Sequence, residues 1–438
     1  MLAFEHIRKC VFWSLDFLKG SPIKRHYKEV KFIMENPNTH QASTIKANRL
    51  KEILKYASEN TAFYSIYKDC SFNEFPIISK DLVVNNFNEF ESKQYLNKKR
   101  YLASTSGSTG FPFKLWLNRN KKQRNTADTL YFSELANYTI GRKLFYLKLW
   151  EKKNYKGSFT LFIENIFKHD VMHYTIRDLR NLLAKMGASK SSKVILGYSS
   201  FLEYLSNFMK DENINIKNAN IESIITMAEA LDEKAKERLM YQFNTTVYSR
   251  YSNQENGILA QQTKFNPDHY ISNVSSYKIE FLDIEKDEPA KIGSWGRIVI
   301  TDLFNYAMPL IRYDTGDLAI AATFDEKRGY EFKEILGRKF DVIYNTDGEL
   351  VIPHTFLHIE NYSKCVQFQF IQDDKKEYRF KINGKQEDTD EKAASAYFRE
   401  LLGQDANIRY EYVDEIPKLS SGKHQKVTSN YRKIEVNL

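Results

Sequence analysis

A strand–helix–strand–helix–strand run between residues 192 and 251 limits the architecture more than any other stretch. Val194-Ile195-Leu196-Gly197-Tyr198 is a short apolar strand ending in turn residues, and residues 201–209 follow with helical spacing behind the candidate caps Ser199 and Ser200. Residues 221–227 read as a second strand, 231–243 as a second helix and 246–251 as a third strand. Such alternation folds as a mostly parallel sheet, with ligands bound at the C-terminal ends of its strands. The expected fold class is α/β. Residues 277–301 alternate instead as antiparallel strands, with Tyr277, Ile279 and Phe281 on one face.

Upstream, the sequence YLASTSGSTGFPFK at 101–114 groups Ser104, Thr105, Ser106, Ser108 and Thr109 around Gly107 and Gly110, then presents Lys114 after Pro112. Glycine reaches backbone angles other residues avoid, so successive N–H groups can turn inward as an anion nest. Hydroxyls add donors without bulk, and a lysine adds a point charge. The stretch suits a polyphosphate, although it is not a Walker loop, because no lysine directly follows the second glycine. Taken alone, it also reads as an ordinary Ser/Gly surface turn.

The chain has 438 residues, room for two or three domains at roughly 100–200 residues each. Hydrophobic residues make up 42% and aromatics 14%, which excludes a disordered chain. Its apolar runs are broken by charge and too short to span a bilayer. Near the N-terminus Glu5, Arg8 and Lys9 interrupt an apolar stretch, which argues against a secretory signal. The segment is expected to be an amphipathic helix packed on the main body, with contact to a membrane surface as the alternative. Function is not legible in residues 1–100, where Leu50, Ile53, Leu54 and Ala57 form one helical stripe. Cys10, Cys70 and Cys365 are few, distant and odd in number, so neither a disulfide framework nor a zinc site is expected. The chain reads as cytoplasmic. A net charge of +9 permits nucleic acid, acidic lipid or anionic small molecules as partners. Basic residues are dispersed apart from Lys121, Lys122 and Arg124, and no zinc-finger or RNP spacing is present, so nucleic acid is not expected. His354 and His358 lack a third ligand for a metal site.

Two later segments give the 101–114 stretch a context. Tyr313-Asp314-Thr315-Gly316-Asp317 and Ile416-Pro417-Lys418-Leu419-Ser420-Ser421-Gly422-Lys423 follow it in order. Together they resemble the signatures of the adenylate-forming superfamily, which includes acyl-coenzyme A ligases and peptide-synthetase adenylation domains. The resemblance covers most of the chain from about residue 101. The wording Ala307-Met308-Pro309-Leu310-Ile311-Arg312-Tyr313 is similar to the phenylacetate–coenzyme A ligase branch and to its CapK-like members, found with capsular polysaccharide biosynthesis.

The resemblance implies a large N-terminal domain, 1–336, with mainly parallel sheets and a β subdomain, and a small mobile α+β domain, 337–438. In the latter, Val366, Phe368 and Phe370, then Tyr378, Phe380 and Ile382, alternate as strands ahead of a helix at 393–402 and a strand at 408–413. It implies that Thr105, Ser106, Gly107, Ser108, Thr109, Gly110 and Lys114 hold the phosphates of ATP. Ala228 and Glu229 would line the adenine pocket, Tyr251 would stack on the base, and Glu255 would hold Mg2+. Asp317 would accept the ribose hydroxyls, Arg338 would contact ribose and phosphate, Asp341 would be the hinge and Lys423 the catalytic cation. The sequence departs from the family pattern at Ser252, Gln254 and Phe340. The implied reaction is AMP-forming activation of a carboxylic acid and transfer to an acceptor, most simply a thiol of coenzyme A or a carrier protein. An amine or sugar hydroxyl acceptor, or a non-catalytic nucleotide-binding relative, are the other readings. The acid itself is not readable from the expected pocket residues, 150–155 with Tyr198 and Ala228.

Overall fold

In a computed structural model of the chain, the residues described are 3–104, 113–150, 157–188, 191–336, 343–351, 353–365, 367–417 and 426–431. They divide into two compact units, Met1–Gly337 and Arg338–Leu438.

The strands of the first unit are β1 (Tyr101–Ser104), β2 (Lys114–Leu117), β3 (Lys143–Lys148), β4 (Ile166–Asp170), β5 (Lys193–Tyr198), β6 (Ile221–Met227) and β7 (Thr246–Asn253). They continue with β8 (Gly257–Thr263), β9 (Asn266–Ser272), β10 (Tyr277–Leu282), β11 (Trp295–Asp302), β12 (Tyr313–Asp325) and β13 (Gly329–Leu336). Eleven of them form one sheet in the order β10-β11-β12-β13-β9-β8-β7-β6-β5-β3-β4. From β7 to β4 the pairs are parallel, and from β7 to β10 they are antiparallel. The expected parallel sheet and β subdomain are therefore continuous, and β7 belongs to both halves. The parallel strands are covered by helices, which is why β5 is a solid apolar run rather than an alternation.

Helix Ser199–Asp211 starts directly after β5, yet Ser199 and Ser200 do not cap it as expected. Ser199 Oγ donates to the Glu229 carbonyl at 2.7 Å, and the Ser200 amide donates to the Glu229 carboxylate at 3.1 Å. An acid arriving from the end of β6 takes the cap's place, favoured there by the helix dipole.

Helix Arg119–Glu134 carries the basic cluster, and two of its three members are fully buried rather than facing a ligand. Lys121 pairs with Asp302 at 2.7 Å and donates to the Tyr277 hydroxyl at 3.0 Å, which in turn donates to the Asn256 carbonyl at 2.5 Å. Arg124 reaches Glu29 at 2.8 Å and the Ser275 carbonyl at 2.6 Å. Burial pulls the Lys121 ammonium's pKa down, and Asp302 opposes that pull. Lys121→Met should cost about 3–5 kcal/mol in denaturant unfolding, because it leaves Asp302 buried and unpaired. Lys121→Met with Asp302→Leu should recover most of that loss. A single variant as stable as the parent would show that the pair does not hold the fold.

The second unit contains a hairpin, β14 (Ile343–Tyr344) with β15 (Leu350–Val351), and four further strands. These are β16 (Gln367–Asp374), β17 (Glu377–Asn383), β18 (Asn407–Val413) and β19 (Val427–Ser429), ordered β18-β17-β16-β19. Alternation buries Phe368, Phe370, Tyr378, Phe380 and Ile382 against Phe398 and Leu402 of helix Glu391–Leu402. Asp390 caps that helix by accepting from the Ala393 amide at 2.9 Å. His358 bonds the Tyr397 hydroxyl, and no metal-binding cluster is found among the described residues. Among those residues no helix is long and apolar enough to cross a membrane.

Candidate functional site

β12 begins with a tightly held turn. Arg312 sits at a left-handed φ of 50°, with its amide on Thr301 Oγ1 at 2.9 Å and its guanidinium on Glu280 and the Phe75 carbonyl, both at 2.9 Å. Gly316, at φ 75°, sits within β12 where its pairing with β11 shifts register, in a conformation that a side chain would strain. Asp314 accepts from the Gly316 amide at 2.8 Å and pairs with Arg297 at 2.8 Å. Asp317, next in the strand, is only 4% exposed. Its Oδ2 accepts from the Tyr251 hydroxyl at 2.5 Å, and its amide donates to Thr315 Oγ1 at 3.1 Å. Burial first, and the Asp317 charge next, hold the Tyr251 hydroxyl well above its usual pKa, so it remains a donor. Tyr251 thus touches Asp317, a contact between residues far apart in sequence that no local pattern signals.

Glu255 lies in the turn from β7 to β8, also 4% exposed. The Tyr313 hydroxyl is 3.5 Å from its Oε1, and its Oε2 is buried with no hydrogen-bond partner among the described residues. A buried carboxylate oxygen left without a partner is costly, and a bound cation is one group that would offset that cost. The neighbouring Asn256 carbonyl is the end of the buried Lys121–Tyr277 chain, so that network holds the Glu255 turn.

Tyr313 also stacks on Phe113, with ring centroids 6.0 Å apart at 8°. Phe113 is the first described residue after the glycine- and hydroxyl-rich stretch. The strands on either side of that stretch pair with Ser104 opposite Lys114, whose side chain is exposed. The loop exit reaches Glu255 through Tyr313, and Asp317, bonded to Tyr251, lies on the same strand as Tyr313, four residues further along.

Ala228 and Glu229 follow the end of β6, beside the end of β7. Ala228 takes φ 78°, unusual for a residue with a Cβ, and the Glu229 bonds to Ser199 and Ser200 hold the segment in that path. The Glu229 carboxylate serves the helix start, and the Met227 and Glu229 carbonyls accept from Ser199 Oγ.

Residues 1–100, where no function was legible, brace the site. Ile78 pairs in parallel with Tyr313, its amide on the Arg312 carbonyl at 3.0 Å and its carbonyl on the Asp314 amide at 2.9 Å. The Ser92 amide bonds the Ala307 carbonyl at 3.0 Å, and the Tyr64 hydroxyl takes the Ile311 amide at 3.1 Å. Thr105, Ser106, Gly107, Ser108, Thr109, Gly110, Arg338, Asp341 and Lys423 lie outside the described residues.

The fold is that of the adenylate-forming ligases. A 2-hydroxyisobutyryl-CoA ligase in the postadenylation state, in complex with 2-HIB-AMP, superposes with a TM-score of 0.69 at 17% identity over 89% of each chain. ATP-bound MatB from Rhodopseudomonas palustris gives 0.55 at 17% identity, over 74% of this chain and 66% of that one. A benzoate CoA ligase from Burkholderia xenovorans LB400 gives 0.53 at 12% identity, over 76% and 68%. No curated protein matches the chain in sequence. Residues 343–430 match the family model of the CapK C-terminal domain.

Proposed function

We propose that the protein activates a carboxylic acid with ATP, releasing pyrophosphate, and passes the acyl group to an acceptor thiol, coenzyme A or a carrier protein. The observation that carries this reading is the buried pair of carboxylates, Asp317 clamped by Tyr251 and Glu255 with one unpartnered oxygen, at the exit of a glycine- and hydroxyl-rich stretch. It is supported by a ligase of similar fold whose structure holds 2-HIB-AMP and CoA in the thioesterification state.

In the first step a carboxylate oxygen of the acid forms a bond to the α-phosphorus, and the bond to pyrophosphate breaks. In the second, the acceptor thiol loses its proton to solvent, its sulfur bonds to the acyl carbon, and AMP leaves with the bonding pair. Both steps depend on positioning and charge rather than on a protein nucleophile. Asp317 accepts from the ribose hydroxyls while Tyr251 fixes its orientation. The backbone at Ala228 and Glu229 flanks the base, and Thr105 to Gly110 with Lys114 hold the phosphates. Glu255 is the residue that would hold Mg2+, which would draw charge from the phosphate oxygens. Arg338 and Lys423 supply positive charge, and Asp341 is the hinge on which the 337–438 domain turns between steps. The CapK resemblance points to surface-polysaccharide biosynthesis as the setting.

Pyrophosphate release across a panel of carboxylic acids, followed by mass analysis after adding coenzyme A or an amine, tests the reading. An acid that releases pyrophosphate and yields a thioester supports it; an amide or ester product would change the acceptor. ATP binding without pyrophosphate release from any acid would make the protein a binder only. Asp317→Ala should weaken ATP binding about tenfold or more, since a hydrogen bond to a charged group contributes about 1.5–3 kcal/mol. Unchanged affinity by calorimetry in folded protein would remove Asp317 from the ribose site.

A further inference from the structure

Helix Ala3–Leu18 buries its acids and leaves much of its apolar surface outside, although Val11, Phe12, Trp13 and Leu15 are half-buried. Its acids Glu5 and Asp16 are buried and its Arg8 and Lys9 are half-buried, while Phe4, Ile7, Phe17 and Leu18 are 75%, 54%, 72% and 78% exposed. A globular protein's surface helix ordinarily turns its apolar stripe inward. Here specific contacts hold it the other way. The Asp16 carboxylate accepts from the amides of Ile23 and Lys24 at 3.1 and 2.9 Å, capping helix Pro22–Glu35, whose own preceding residue Ser21 makes no side-chain cap. The helix backbone also presses on Gly141, where a Cβ would sit 2.4 Å from the Glu5 carbonyl. Against it packs the short helix Ser158–Glu164, which adds exposed Phe159 and Phe162, the latter under the Arg8 guanidinium at 5.0 Å.

Basic side chains are exposed in and just after the turn that follows this helix. Lys19, Lys24, Arg25 and Lys28 are exposed, and Lys24 lies 5.8 Å from the Trp13 ring. Of the acids on these helices, Glu5 and Asp16 are buried, Glu164 is half-buried, Glu29 is bound by Arg49 at 3.1 Å and Arg124 at 2.8 Å, and Glu35 lies 3.8 Å from Lys31. Large exposed aromatics rimmed by lysine and arginine are what a helix lying in a lipid headgroup layer presents. A second copy of the chain would bring the same positive rim and be repelled, whereas an anionic surface is attracted, as the chain's net charge of +9 also favours.

We propose that helix Ala3–Leu18 is an interfacial anchor that lies flat on an anionic phospholipid surface, its apolar face in the headgroup–acyl boundary and its basic rim on the lipid phosphates. The site-bearing unit would then work at a membrane surface. This rests on the helix alone and not on the proposed reaction.

Cosedimentation of the full chain with vesicles tests it. The protein should bind vesicles of phosphatidylcholine and phosphatidylglycerol in equal parts, bind phosphatidylcholine alone far less, and be released as salt rises. Phe17→Glu with Leu18→Glu should lower binding about tenfold or more, because it places two charges in the inserted face. Both residues are exposed, so the melting temperature should match the parent's. Equal binding by parent and variant, or no binding at low salt, would overturn the proposal. So would a dimer seen by light scattering that the variant dissociates and that ignores vesicles, which would assign the face to a second copy.

Discussion

Glu255→Gln should slow pyrophosphate release about 10²–10³-fold, the loss typical of removing one preorganised charge from a reacting phosphate site. Glutamine keeps the side chain's size but cannot serve as a charged cation ligand. The present carboxylate is buried, lies 3.5 Å from the Tyr313 hydroxyl, and has an Oε2 with no hydrogen-bond partner among the described residues. Removing an under-partnered buried charge relieves a desolvation cost, so ligand-free Glu255→Gln should melt at or above the parent's temperature. The two readouts therefore move apart, activity down and stability level or up. Loss of both would mean that Glu255 only holds the turn. Activity within a few-fold of the parent would remove it from the cation site.

Lys423→Ala should fail with ATP and acid by about 10²–10³-fold, yet still transfer acyl groups from a supplied acyl-adenylate. The reason lies in where charge builds. When the carboxylate attacks phosphorus, negative charge gathers on both partners and an ammonium stabilises it. The second step begins from a finished adenylate and has no such need. Measuring the two half-reactions separately decides the matter. Equal losses in both would make Lys423 structural, and full activity in both would take it out of the reaction.

Sequence alone determined the parts whose signals are local and periodic. The apolar run of β5, the strand at Ile221–Met227 and the alternation of β16 and β17 follow from side-chain period, because a strand's two faces and a helix's stripe are written into consecutive residues. The Tyr313–Asp317 signature was legible as a segment, and the structure places it within β12, at an irregularity in the pairing with β11 where Gly316 takes φ 75°. Contacts between distant residues were decided by tertiary structure. Tyr251 meets Asp317, Glu229 caps the helix after β5, and Lys121 and Arg124 sink into an ion network. Periodicity shows that helix Ala3–Leu18 has an apolar and a charged side, but not which one is buried. That choice was made by Asp16 capping the next helix and by the room Gly141 leaves for its backbone, because a buried charge with partners can outcompete an apolar face that has none to meet.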